Sequence, residues 1–296
     1  MKYPIHLVIV FLIGLVSCTN EGPYLTIGLV ADPQYAVKES LGKRNYKESV
    51  WKLEEAIKTF NEEKVDMVQN LGDIIDIHWE SFDSILPPYQ KLDHDIENYH
   101  LLGNHEFSID SVHMKDLVSR LNMPDYYYSY SVAGWRFMVL DATEIAYYSN
   151  PLHQRDKDEL DKYYDKIEGK PNQQTWNSAI GEIQQEWIKK ELENVENLNQ
   201  KVIIYSHLPV RHNEYAHNLW NDYEIVDLIN HSERVFAFIN GHNHEGAYDF
   251  HQGVHYITVV GMVETMVSSY GILEFYQDSL ILHGYGNQET IHLNFE

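Results

Sequence analysis

A single cysteine, Cys18, in a chain of 296 residues excludes any internal disulfide. Basic residues are scarce too. Lys and Arg number 22 against 45 Asp and Glu, giving a formal net charge of -23. A nucleic-acid backbone is bound by clustered Lys and Arg, so nucleic acid is excluded as a partner. A small phosphorylated substrate remains compatible, because bound divalent cations can invert the sign of the local field. The chain also lacks internal repeats, low-complexity tracts and any clear second domain boundary. With 44% hydrophobic and 23% charged residues, it is composed as a packed globular protein rather than a disordered one.

The place of the cysteine carries more information than its rarity. Lys2 gives the chain a positive start, and residues 7–16 form the apolar centre of a signal peptide. That run is too short to span a bilayer comfortably as a helix. Leu15-Val16-Ser17-Cys18 resembles a bacterial lipobox. The resemblance implies cleavage before Cys18, lipidation there, and attachment to a membrane at the cell envelope, at its periplasmic face or the cell surface. The expected organisation is a signal peptide over 1–17, a lipidated tether over 18–23 and one domain over 24–296.

Within that domain, short apolar runs over 25–31, 65–71, 99–102, 136–140, 201–205 and 234–239 read as buried strands. Val50, Leu53, Ile57 and Phe60 have helical spacing, as do Ile183, Trp187, Ile188 and Leu192. These predict helices over 46–63 and 181–195. The tail reads as strands over 255–260, 271–276 and 280–284. Residues 110–174 read as connections and an insertion. Strand–helix alternation followed by strands predicts an α/β sandwich with mixed sheets.

Five apolar runs end in side chains able to hold metal: Asp32-Pro33-Gln34, Gly72-Asp73-Ile74-Ile75-Asp76, Gly103-Asn104-His105-Glu106, Ser206-His207, and Gly241-His242-Asn243-His244. In open α/β sheets, loops from several strands converge at the carboxyl ends to form sites. Carboxylate, amide and imidazole donors there suit manganese, zinc or iron. Any one of these clusters, taken alone, reads as a turn, a cap or a packed histidine. The other histidines, His217 among them, belong to no such pattern and read as surface or structural groups.

All five, in this order, resemble the calcineurin-like metallophosphoesterases. The resemblance implies a four-layer α/β/β/α sandwich of two mixed β-sheets flanked by helices. It also implies two divalent metal ions. Asp32, Gln34, Asp73 and His244 would hold the first; Asp73, Asn104, His207 and His242 the second, with Asp73 bridging. His105 would act on the leaving group without binding metal, oriented by Asp76. Two departures inform the reading. Gln34 stands where many members carry His, which weakens the first site or turns it toward manganese or magnesium. Asp76 stands where purple acid phosphatases carry Tyr, which sets that branch aside.

Ala31-Asp32-Pro33-Gln34-Tyr35 is similar to the first motif of the manganese-dependent ADP-ribose/CDP-alcohol diphosphatases. Ser206-His207-Leu208-Pro209, His244-Glu245-Gly246-Ala247-Tyr248 and Trp176-Asn177-Ser178-Ala179-Ile180-Gly181 agree with it. This implies manganese as the first choice of metal, with magnesium, zinc and iron as alternatives. It implies a nucleotide diphosphate as the substrate, with Tyr35, Arg44, Asn177 and Ile180 beside it. Each of those four also has a structural reading, as packing or as a surface charge. The alternatives to a diphosphatase are a phosphomonoesterase or phosphodiesterase, and a non-catalytic binding lipoprotein. The sequence leaves the oligomeric state open.

Overall fold

The computed structural model describes residues 22–154, 157–211 and 215–295. The signal segment and Cys18 lie outside the described residues. The strands are β1 (Leu25–Val30), β2 (Met67–Asn70), β3 (Glu97–Tyr99), β4 (Tyr128–Val132), β5 (Trp135–Val139), β6 (Lys201–Ser206), β7 (Val235–Asn240), β8 (Ala247–His251), β9 (Val254–Thr258), β10 (Tyr270–Phe275), β11 (Ser279–Tyr285) and β12 (Ile291–Asn294). They form two six-stranded sheets, ordered β12-β11-β10-β1-β2-β3 and β4-β5-β6-β7-β9-β8. The first has a parallel half, β1-β2-β3, with β10 joined antiparallel to β1. In the second, β5, β6, β7 and β9 run parallel, and β4 and β8 close the edges antiparallel.

Side-chain alternation makes the layers. On β6, Ile203 and Tyr205 join the core between the sheets, while Val202 and Ile204 join the core on the opposite face. Phe137 on β5 stacks on Tyr205 and meets Phe275 of the first sheet edge-on, with ring centroids 6.2 Å apart. The outer face of the second sheet is covered by helices Glu182–Leu198 and Asp222–Asn230, through Ile188, Leu192, Val195, Ile225 and Ile229. Helix Ser49–Glu63 covers the first sheet with Leu53, Ala56, Ile57 and Phe60, and ends at Lys64 in the left-handed region (φ 54). The four-layer sandwich is therefore as expected.

The differences fall at edges. The strand expected over 99–102 is β3, which ends at Tyr99; His100 to Leu102 continue buried but unpaired in a ladder. The segment 110–174, read as connections, contains the hairpin partner β4 and helix Lys157–Asp165. Strands β8 and β12 and helix Asp222–Asn230 were not anticipated. β4, β8 and β12 are outermost or next to a short connection, so their sequences mix polar and apolar residues without a full buried face.

One contact sets how closely helix and sheet approach. Gly28 lies under Phe60, and a Cβ at that position would sit 2.9 Å from three atoms of the ring. Gly28→Val should destabilise the fold by about 1–3 kcal/mol through overpacking, read as a lower urea midpoint. A midpoint equal to that of the unaltered protein would mean the helix has slack to move, against this account.

Candidate metal centre

The loops after β1, β2, β6 and β7 bring Asp32, Asp73, His207 and His242 to one edge of the sandwich. Four of the expected ligands have positive φ although none is glycine: Asp32 (50), Gln34 (43), Asp73 (51) and His242 (68). Such conformations cost of order 1–3 kcal/mol each and persist only where surroundings over-determine them. Here Asp32 N donates to Gly72 O at 3.3 Å and Gln34 N to Asp73 O at 2.8 Å. The Glu106 carboxylate takes backbone N–H bonds from Asp73 (2.9 Å), Ile74 (2.6 Å) and Gly103 (2.7 Å). Gly103 is obligatory for space, since a Cβ there would meet Asp73 Oδ1 at 2.2 Å.

The donor atoms converge. His207 Nε2 lies 3.2 Å from Asp73 Oδ2, 3.2 Å from Asn104 Oδ1 and 3.2 Å from His242 Nδ1. Metal–ligand bonds of roughly 2.0–2.2 Å place neighbouring donors about 3.0–3.5 Å apart, so this set could hold one ion. His207 Nδ1 bonds Leu71 O at 2.8 Å, which leaves Nε2 for the site. On the other side, His244 Nε2 lies 3.5 Å from Asp32 Oδ1 and 3.1 Å from the Gln34 amide. That amide is also 3.0 Å from Asp73 Oδ2. Asp73 Oδ2 thus belongs to both sets. The Gln34 oxygen is buried with no hydrogen-bond partner. Turning the amide by half a revolution gives up the Nε2 contacts with Asp73 Oδ2 and His244 Nε2 and puts the oxygen in their place as a metal ligand atom. A buried acceptor without a partner is costly, and a cation is the partner this geometry fits.

His105 Nδ1 faces Asp76, at 3.1 Å from its carbonyl and 3.3 Å from Oδ1, and Lys38 pairs with the same carboxylate. Its other nitrogen, Nε2, is left for the cavity. The cavity has a volume of about 360 Å³ and is walled by Gln34, Asp73, Asn104, His105, His242 and His244, with Arg44, Trp176 and His217 around them.

Of the four expected substrate contacts, the structure brings only Arg44 to the cavity. Tyr35 is buried in the core cluster around the first sheet, and Ile180 is fully buried against the second sheet. Neither lines the cavity, and both pack among buried side chains. Asn177 is fully buried, and its Oδ1 lies 3.1 Å from His242 Nε2, which makes it a support for that ring. His217, read as surface, stands edge-on to His242 at the cavity wall. Its signal was absent because no motif contains it. Glu106 was visible within the Gly103–Glu106 cluster, but nothing in sequence gives its backbone contacts.

The electrostatics agree with an ion site. Burial would raise the Asp73 carboxyl, but His207 and His105 beside it hold it well below the usual range. Burial opposes charge on His207 and His244, yet Asp73 raises the first to about 9 and Asp32 the second to about 9. His242 is driven well below its ordinary value, by burial first and then by the His207 charge. Burial, then the Asp73 charge, pushes Glu106 up toward about 7, against the backbone donors that favour its ionised form.

Residues 25–246 match the calcineurin-like phosphoesterase family. A rice (Oryza sativa subsp. japonica) protein named manganese-dependent ADP-ribose/CDP-alcohol diphosphatase is 29% identical, over 96% of this chain and 98% of its own length. The human protein of that name is 25% identical, over 92% of this chain and 93% of its own. The crystal structure of a dimetal phosphatase from Danio rerio superposes with a TM-score of 0.83 at 25% identity, covering 93% of this chain and all of that one. A purple acid phosphatase from yellow lupin, at 13% identity and a TM-score of 0.56 over 92% of this chain and 54% of its own, shares the fold.

Replacing Glu106 by Ala leaves the buried N–H groups of Asp73, Ile74 and Gly103 without acceptors. At about 1–3 kcal/mol for each orphaned group, the loss should be at least about 3 kcal/mol, with weakened manganese binding. Urea denaturation with metal titration reads both; a loss below about 1 kcal/mol would remove Glu106 as the support of the Asp73 loop.

Proposed function

The chain belongs to the calcineurin-like phosphoesterase family, and we propose that it is a two-metal hydrolase cleaving the diphosphate of nucleotide-type substrates such as ADP-ribose and CDP-alcohols. The observation that carries the reading is the paired donor set sharing Asp73 Oδ2. The names of relatives alignable over nearly the whole chain support the substrate class. So does the cavity wall, where Trp176 is 46% exposed and offers an aromatic face, and Arg44 offers a guanidinium.

Asp32, Gln34, Asp73 and His244 would hold one divalent ion, and Asp73, Asn104, His207 and His242 the other. Such a pair, manganese by preference, supplies charge neutralisation for phosphoryl oxygens and acidifies the attacking water. The chain's own residues do the rest. Asp73 offers an anionic oxygen to both sets, with its other oxygen taken by the His105 backbone N–H at 2.8 Å. Asp76 holds the His105 ring from Nδ1. Burial opposes the proton on His105, but the Asp73 and Asp76 charges raise its affinity for it. A proton on Nε2 is then available to the leaving phosphate as the phosphorus–oxygen bond breaks. Arg44 can receive the second phosphate. Water adds across the P–O–P bridge, giving AMP and ribose 5-phosphate from ADP-ribose, or CMP and the phospho-alcohol from a CDP-alcohol.

With manganese, the purified protein should hydrolyse ADP-ribose and CDP-choline in preference to p-nitrophenyl phosphate. His105→Ala should keep two ions and lose about 10²–10⁴-fold in turnover. Turnover of the nitrophenyl ester alone would make the protein a phosphomonoesterase; failure on every substrate would make it a binder.

We also propose that Cys18 is lipidated and anchors the domain at the bacterial envelope. The support is the position of the sole cysteine after an apolar run. In a bacterial host the protein should enter the detergent phase on partitioning, and Cys18→Ser should move it to the aqueous phase. Equal partitioning of the two would end the proposal.

A further inference from the structure

Glu264 touches both sides of the chemistry. Its Oε1 lies 2.9 Å from His244 Nδ1 and 3.2 Å from Arg44 Nε. We infer that Glu264 is a positioning residue that aims His244 Nε2 at the first ion site and holds Arg44 at the cavity wall. Metal affinity and the grip on the second phosphate then depend on one carboxylate. This rests on the two-metal reading above.

The carboxylate sits on a short turn, Met262–Glu264, that is tied to every part it would coordinate. Met262 N donates to Ala31 O and Val263 N to Asp32 O, each at 3.0 Å, so the turn is bonded to the strand end that carries a ligand. Asn45 N donates to Val263 O at 2.9 Å, which fastens the loop bearing Arg44 to the same turn. Buried Lys52 closes it from beneath, with Nζ 3.0 Å from Met262 O. The ring of His244 is confined as well: Gly261 N donates to His244 O at 3.1 Å, and a Cβ on Gly261 would strike the ring at 2.7 Å. In this arrangement the ring presents Nδ1 to Glu264 and Nε2 to Asp32 and Gln34.

A carboxylate on the far nitrogen of a metal-binding imidazole fixes its tautomer and raises its basicity, and losing it typically costs 10–100-fold in metal affinity. A salt bridge of merely structural value would lower stability without distinguishing one ion site from the other.

Manganese titration followed by the paramagnetic signal of the free ion separates these. The unaltered protein should bind two ions. Glu264→Gln should weaken one site about 10–100-fold and leave the other unchanged, and should raise KM for CDP-choline. Arg44→Lys should bind both ions as the unaltered protein does, and raise KM alone. Two sites of unchanged affinity in Glu264→Gln would overturn the inference while the two-metal reading stands. An unaltered protein binding fewer than two ions would overturn that reading, and this inference with it. Should Glu264→Gln fail to fold, nitrogen NMR of the zinc-loaded unaltered protein decides the matter. His244 protonated on Nδ1 and ligating through Nε2 supports the inference; ligation through Nδ1 overturns it.

Discussion

The structure is organised around one buried anionic oxygen. Asp73 is fully buried at the edge where both sheets end, and its Oδ2 is shared by two groups of donors. A buried carboxylate without compensation is among the most expensive features a protein can carry. The protein meets that cost by gathering His207, the His105 backbone N–H and the Gln34 amide around it, and by sealing the loop from behind with Glu106. The strained backbone at Asp32, Gln34, Asp73 and His242 belongs to the same requirement. Their side chains reach a common centre only if the chain reverses within a residue or two of each strand end.

The sandwich is what makes that convergence affordable in entropy. β1 and β2 pair in parallel up to Val30 and Asn70, and backbone bonds from Leu71 N to Val30 O and from Asp32 N to Gly72 O carry the pairing on toward Asp32 and Asp73. β6 and β7 do the same for His207 and His242 in the second sheet. The relation between these two pairs is set by aromatic packing between the sheets, such as Phe137 against Tyr205 and Phe275. The ligand set is thus held by two rigid frames and one interface, without dependence on long flexible loops.

The converging side chains were legible in sequence because chemistry and topology leave a joint mark: an apolar run, then a glycine or a polar donor, repeated five times. The central strands were legible for a related reason, since strands buried on both faces read as continuous apolar runs. What escaped has its own physics. Edge strands β4, β8 and β12 bury part of one face and lose the periodic signal. Glu106 and Glu264 act through contacts distant in sequence, Glu264 reaching Arg44 across 220 positions. Asn177 was found by resemblance, and the structure sets its Oδ1 against His242; short motif similarity locates a loop near a site without saying which way its side chains point.

The two proposed ion sites differ in donor chemistry, and the difference traces to Gln34. The site around His207 draws two imidazole nitrogens, from His207 and His242, and two oxygens, from Asp73 and Asn104. The site around His244 draws a single imidazole and three oxygens once the Gln34 amide presents its oxygen. Imidazole-rich sets suit zinc and other late ions, whereas oxygen-rich sets suit manganese and magnesium. A neutral amide also adds no negative charge, so the site's hold on its ion rests more heavily on Asp32, on Asp73 and on how basic His244 is made. That shifts importance outward to the carboxylate bonded to His244, and it gives Glu264 a task that a second imidazole in place of Gln34 would have lightened.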